Sequence, residues 1–382
     1  MKKTLSFLLA AAALAFPAAG RAQVKIGFIN SITGPEAPIG ENLTNGVDMA
    51  VEDLKKKGIN VSVVKQDDTG KPQIAMSAVE TLEGEQVAAI VGPYTSANAN
   101  AVAKIAEQYK IPEVIPAAAK EEITRQGYKN VFRLNAPAHQ YAQSLIDAAL
   151  AFGKPKSVAF IYESTDFGNS VSAAGKDYAK AKGLQIVADE AYQKGAADYR
   201  STLTKMKAAN PDLVFMVSYV ADAILLMRQS REVGLKPQAF LGGGAGFDTA
   251  QFESEKDIST NVFSVTQWTP ESSKPATEFA DRYKAKYGKK PTYHAACAYA
   301  AMMVVGEVAS KAGGSRDKVR EALDTGSWEG ITGKVKFEDY EGFTNQNKLV
   351  MPVVQYQKGT AVTVFPPAAA KAKPVYPFPG WK

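Results

Sequence analysis

The residues best suited to chemistry sit in one short run, Gly92-Pro93-Tyr94-Thr95-Ser96, where an apolar segment stops and a helical pattern begins. A phenol and two adjacent hydroxyls at a strand-to-helix step have two uses. Free amides and the positive dipole end of a helix N-terminus favour an anion, and Thr95 and Ser96 add donors. Ser96 can equally serve as an N-cap. Signals for catalysis are sparse. The two histidines, His139 and His294, join no His/Cys/Asp/Glu grouping with metal-ligand spacing. G-x-S-x-G is absent, as are a Walker loop and a G-x-G-x-x-G after the first strand. The run "LGGGAGFD" (241–248) lacks the Lys-Ser/Thr ending of a phosphate cradle and reads as a strand-end loop whose backbone passes close to something. Asp67 and Asp68 follow a strand, where neighbours point in different directions, so they read as a solvated loop with a helix-capping role. Tyr293 and His294 open a helix and either face a cleft or pack. Cys297, the one cysteine, lies among small apolar residues and reads as buried. The expectation is a protein that is not an enzyme and carries no metal or cofactor.

The elements that must position these residues alternate. "VKIGFIN" (24–30) reads as a strand, 40–57 as a helix closed by Gly58, and "VSVVKQDD" (61–68) as a strand. The next helix has Pro72 in its first turn, where proline is tolerated, carries Ile74, Ala75, Ala78, Val79 and Leu82 near a 3.6 period, and ends at Gly84. The strand "VAAIVG", the helix after Ser96 and the strand "PEVIP" follow. The pattern resumes with strands at 157–163, 184–192 and 212–219, helices near 168–182, 199–209 and 221–235, and then "QAFLGG" and "NVFSVTQW". Such alternation predicts an α/β fold, with parallel sheets covered by helices on both faces. The halves echo each other: Tyr94 and Ser96 end one strand, Ser218 and Tyr219 another. Open sheets bind ligands outside the carboxyl ends of their strands, so two facing lobes would form a cleft.

The ends of the chain and its charge set further bounds. Met1-Lys2-Lys3, an apolar run from Leu5 to Phe16 and small residues to Ala22 read as a secretory leader (1–22) cleaved near Gln23, with no cysteine there for lipidation. No later stretch is long enough to span a bilayer. Removing Lys2, Lys3 and Arg21 lowers the formal charge of +6 by three, too mild a balance to argue for nucleic acid. The remaining length suggests two domains. The tail "AAAKAKPVYPFPGWK" reads as extended and peripheral (366–382), packed by Tyr376, Phe378 and Trp381.

The run "VKIGFINSITGPEAPIGENLTNGVDMAVEDLKKKG", followed in order by "QDDTGKPQIAMSAVETL", "IVGPYTSANANAVAKIAEQYKIPEV", "TRQGYKNVFRL", "VAFIYESTDFGNSV", "DYRSTLTKMKAANPDLVFMVSY" and "LLMRQSREVGL", resembles the type I periplasmic solute-binding proteins of ABC transporters, in the leucine/isoleucine/valine-binding group. The resemblance covers about residues 24–365. It implies two doubly wound parallel-sheet lobes joined by a three-strand hinge: 24–137 plus 268–346, and 138–267 plus 347–365. It also implies a periplasmic monomer that closes on one small molecule and delivers it to an inner-membrane permease; periplasmic binding proteins are a standard example of hinge closure. Residue by residue, Ser96 falls at the family's carboxylate-binding serine, with Tyr94 and Thr95 beside it. Ala118 and Ala119 occupy the loop where amino-acid binders carry a threonine. Phe167 and Tyr219 match aromatic positions on the second lobe. Gly244 falls where amino-acid binders carry an acid for the α-ammonium, and Ile39 lies near the side-chain pocket. The carboxylate grip is thus kept while the ammonium grip is missing at Ala119 and Gly244, and burying an unpaired ammonium is costly. The expected ligand is a small carboxylate, aromatic or 2-oxo, unless an acid such as Glu36 or Asp248 reaches the cleft. The alternatives are a branched-chain or other hydrophobic amino acid, or a sensor feeding a signalling receptor.

Overall fold

A computed structural model describes residues 23–381; the expected leader lies outside the described residues. The first strands are β1 (Val24–Asn30), β2 (Val61–Asp67), β3 (Ile90–Val91), β4 (Glu113–Ile115) and β5 (Val131–Arg133). They are followed by β6 (Ser157–Glu163), β7 (Gln185–Tyr192), β8 (Leu213–Val217), β9 (Ala239–Gly242) and β10 (Phe263–Val265). The last six are β11 (Trp328–Gly330), β12 (Gly333–Val335), β13 (Phe337–Tyr340), β14 (Phe343–Asn347), β15 (Val353–Gln357) and β16 (Thr360–Phe365). They form two seven-stranded sheets, ordered β13-β14-β5-β4-β3-β1-β2 and β16-β15-β10-β9-β8-β6-β7, and a small β11-β12 hairpin. Within each sheet the first five strands run parallel, and antiparallel pairs close only the far edges.

The inner strands are largely buried on both faces because their side chains alternate between two apolar layers, whereas β2 and β7 at the sheet edges are partly exposed. Ile26 and Phe28 of β1 face one cluster, and Ile29 the other. Val158 and Phe160 of β6 likewise oppose Ala159 and Ile161. Helices α1 (Ala37–Lys56), α2 (Pro72–Gly84) and α3 (Ser96–Tyr109) serve the first sheet. Helices α4 (Ala138–Phe152), α5 (Asp166–Ala181), α6 (Arg200–Ala208) and α7 (Val220–Glu232) serve the second, with the short α8 (Ala250–Ser254) and α9 (Lys256–Ser259). The chain then returns through α10 (Lys274–Tyr287), α11 (Tyr293–Lys311) and α12 (Arg316–Thr325) to the first sheet.

Helix α11 is apolar nearly all round and buried along its length, as such a pattern requires. It lies against α1 so closely that a Cβ on Gly46 would stand 2.2 Å from the Ala295 carbonyl oxygen. This packing fixes the N-termini of α1 and α11, and with them Glu36, Ile39, Tyr293 and His294. Connections after β5, after β10 and after β14 carry the chain between the sheets. In each sheet, strand order reverses direction beside its first strand, at β1/β3 and β6/β8, and there the carboxyl ends open a crevice.

Several expectations need adjustment. Helix α1 starts at Ala37 rather than residue 40, because Pro38 sits in its first turn, where its missing N–H costs nothing. Only Ile90 and Val91 of "VAAIVG" pair as strand. Asp67 and Asp68 cap no helix. Asp68 is fully buried and accepts from the Ser31 hydroxyl (2.6 Å) and the Gly70 amide (2.8 Å), while Asp67 accepts from the Ile32, Thr33 and Thr69 amides. They clasp the exit of β1 to the exit of β2. The tail is extended, but Phe378 is buried against Phe240, and the Trp381 indole donates to the Leu235 carbonyl (2.7 Å).

Candidate functional site

On the first sheet, β3 ends and α3 begins within five residues. Thr95, not Ser96, is the N-cap: its hydroxyl accepts from the Asn98 amide (3.3 Å). Ser96 is the first helical residue, and its buried Oγ accepts from two amides of the neighbouring loop, Ala119 and Lys120, at 3.2 Å each. A serine hydroxyl has two lone pairs and one O–H. Both lone pairs are engaged, so Ser96 retains a donor at the positive end of a 14-residue helix. Tyr94 is buried, and its hydroxyl has no hydrogen-bond partner among the described residues.

On the second sheet, Glu163 closes β6 and accepts from the Thr165 hydroxyl (2.7 Å) and the Tyr219 amide (2.9 Å). Burial pushes its carboxyl up to about 7 against those hydrogen bonds. Glu163 thereby ties the end of β6 to the start of α7, where Tyr219 projects. Tyr219 lies 5.8 Å from the Tyr94 ring and 5.5 Å from Phe167. Phe167 in turn meets Tyr141 at 6.2 Å. The two sheets therefore meet through an aromatic seam.

Gly244 stands at the edge of that seam. Its φ is +79°, and a Cβ there would lie 2.6 Å from Cε1 of Tyr141. The Tyr141 ring fills the place where a side chain would emerge, held by the Gln267 amide nitrogen donating to its hydroxyl (2.6 Å).

Polar bridges flank the seam. Lys120 pairs with Asp166 (2.9 Å), the Glu121 amide donates to the Ser170 hydroxyl (3.2 Å), and Lys290 pairs with Glu253 (3.2 Å). Lys194 pairs with the buried Glu36 and lies 4.4 Å from the Tyr219 ring centre. Burial raises the Glu36 carboxyl more than Lys194 lowers it. These two residues and Asp222 line a cleft mouth of about 510 Å³. Asp248 opens instead on a side pocket of about 150 Å³ with Glu253 and Tyr293; burial pushes its carboxyl up to about 7 although Thr266 hydrogen-bonds it.

Comparison with known proteins decides the family. A model described as "Periplasmic binding protein" matches residues 23–361. The chain belongs to the periplasmic binding protein family. A Leu/Ile/Val-binding protein homologue of Brucella melitensis is 31% identical, covering 97% of this chain and 98% of its own. Among solved structures, a Rhodopseudomonas palustris solute-binding protein in complex with benzoate is similar (TM-score 0.82, 20% identity, 94% of this chain and 99% of that one). So is the LivJ substrate-binding protein of Streptococcus pneumoniae in complex with isoleucine (TM-score 0.79, 24% identity, 89% and 97%). Both show the fold. The expected architecture of two parallel-sheet lobes is the observed one, and no helix among the described residues is long and apolar enough to cross a membrane.

In this periplasmic binding protein the nine residues expected at the site separate into groups. Tyr94, Ser96, Phe167, Tyr219 and Gly244 converge on the seam, and Ala119 joins through its amide. Thr95 is spent on capping. Ile39 is fully buried in the first turn of α1. Ala118 turns away into the cluster of Ala99, Ile115 and Ile123 beneath α3. The pattern of the chain gave no sign of Tyr141 or Lys194. Glu163 carried one signal, as the lone acid ending a largely apolar strand.

Proposed function

We propose that this periplasmic binding protein is the extracytoplasmic solute receptor of a branched-chain-amino-acid-type ABC transporter, and that its solute is a small carboxylate without an α-amino group, aromatic and 2-oxo acids foremost. The observation that carries the reading is Ser96: with both lone pairs held by amides, its remaining function is to donate, at a helix N-terminus, where an anion is stabilised. The acids near the seam that could meet an ammonium are already engaged, Asp222 by the Gly195 amide (3.0 Å). Tyr141 blocks an acid at position 244, Glu36 is neutralised by Lys194, and Glu163 is bound to Thr165 and the Tyr219 amide. The aromatic seam supplies apolar walls for a ring or hydrocarbon body. Fold neighbours solved with benzoate and with isoleucine hold a small carboxylate without and with an α-amino group.

In this reading residues 24–137 with 268–346 close against 138–267 with 347–365, the leader 1–22 directs export, and a monomer without cofactor presents the closed form to a permease. Titration calorimetry with benzoate, 4-hydroxybenzoate, phenylpyruvate and leucine tests it. At least one acid is expected to bind at micromolar or lower concentration, and leucine not. Micromolar leucine binding with no acid binding overturns the reading.

A further inference from the structure

Two buried polar atoms at the seam have no use in the fold. The Tyr94 hydroxyl and Nε2 of His294 lack hydrogen-bond partners among the described residues. Tyr94 is 3% exposed and His294 fully buried. Their rings meet edge to face at 5.3 Å, and Tyr94 in turn faces Tyr219 across the lobes at 5.8 Å. His294 is fixed from behind. It stacks on Tyr293 at 3.8 Å, and its Nδ1 contacts the Thr292 hydroxyl at 3.2 Å. Orphaned buried polar groups are rare and costly to a fold, so two on adjoining rings call for a reason.

We propose that Tyr94 and His294 form a neutral couple that reads an uncharged oxygen on the ligand, separate from the carboxylate at Ser96. The ligand class is then a small acid bearing a second oxygen, as a hydroxyl or an oxo group. This rests on the carboxylate reading and narrows it.

The chemistry follows from the two groups. A phenol both donates and accepts, and an imidazole whose Nδ1 is engaged offers one donor or one acceptor at Nε2. Burial pushes the His294 imidazole down to about 3, so it stays uncharged at neutral pH. A neutral couple cannot compensate a second buried carboxylate or a buried ammonium, whereas a hydroxyl or carbonyl oxygen satisfies it fully. Glu36 and Tyr219 also face Tyr94, and neither supplies a cation there.

Calorimetry with matched pairs tests this: benzoate against 3- and 4-hydroxybenzoate, and 3-phenylpropanoate against phenylpyruvate. In the wild type at least one oxygenated acid is expected to bind about tenfold or more tightly than its parent, because the parent leaves buried polar groups unpaired. Tyr94→Phe should bring that ratio close to one, and His294→Gln, checked for an intact thermal transition, should reduce it less, since an amide keeps hydrogen-bonding capacity. Equal binding of parent and oxygenated acids by the wild type overturns the couple, as does a ratio that survives both substitutions; the carboxylate reading stands in either case. Binding of leucine alone overturns that reading, and this inference with it.

Discussion

In the proposed reading, Ser96 and Gly244 each bear on what the cleft accepts. Ser96→Ala removes one acceptor shared by two amides, the buried one of Ala119 and the half-buried one of Lys120. The expected outcome is a loss of about 1–3 kcal/mol in stability by denaturant titration, together with weaker binding of any acid ligand. A wild-type melting curve for this variant would show that the loop does not depend on the hydroxyl. Gly244 is constrained twice, by positive φ and by the Tyr141 ring. Gly244→Glu is therefore expected to destabilise by about 1–3 kcal/mol, seen as a lower Tm, and not to create leucine binding in calorimetry. Both residues stood out in the sequence, Ser96 for its place at a strand-to-helix step and Gly244 for departing from the acid of the amino-acid binders. Their reasons did not, because the amides of Ala119 and Lys120 and the ring of Tyr141 arrive from distant segments.

At the scale of elements, β6 and β8 are held in step by Glu163. Its carboxyl is raised, so the folded protein binds its proton more firmly than the unfolded chain does. Its contribution to stability is full below the ordinary value of 4.5 and is lost as pH rises to about 7. At about 1.36 kcal/mol per unit, the share is at most about 3 kcal/mol. Denaturation of Glu163→Gln across pH 4 to 8 should show a shallower decline than the wild type; parallel curves would remove Glu163 as the source. Glu113 on β4, buried with neither oxygen partnered among the described residues, acts with the same sign, as do Asp248 and Glu36, and all three contribute to the remaining slope. Elements with strong local patterns were legible: strands 24–30 and 157–163 and the helix ending at Gly84 lie where periodicity set them. Short strands were placed, but their bounds were not. Only two residues of "VAAIVG" pair as β3, and their partners β1 and β4 lie outside any local window.

For the whole molecule, the proposed closure would rest in part on the polar bridges between the two lobes. Lys120–Asp166 is partly exposed and contributes about 0.2–1 kcal/mol, as surface pairs do. Lys194 faces a Glu36 side chain that is only 4% exposed. Removing Lys194 leaves a buried carboxyl without its cation, a costlier change than losing a solvated pair. Stopped-flow release of a bound acid should therefore be faster in Lys194→Met than in Lys120→Met, by several-fold; equal rates would mean that the Glu36 bridge plays no part in closure.

By itself the sequence determined the alternation of strands and helices and the family, because each is written in local periodicity or in residue types at fixed spacing. The tertiary structure alone decided which hydroxyl caps α3 and which accepts from the neighbouring loop, that Tyr141 fills the place of a side chain at Gly244, that Ala118 packs into the cluster beneath α3, and that Tyr94 and His294 meet with polar atoms unpartnered among the described residues. Those outcomes depend on contacts between residues tens to hundreds of positions apart, where burial and geometry rather than residue type assign each group its partner.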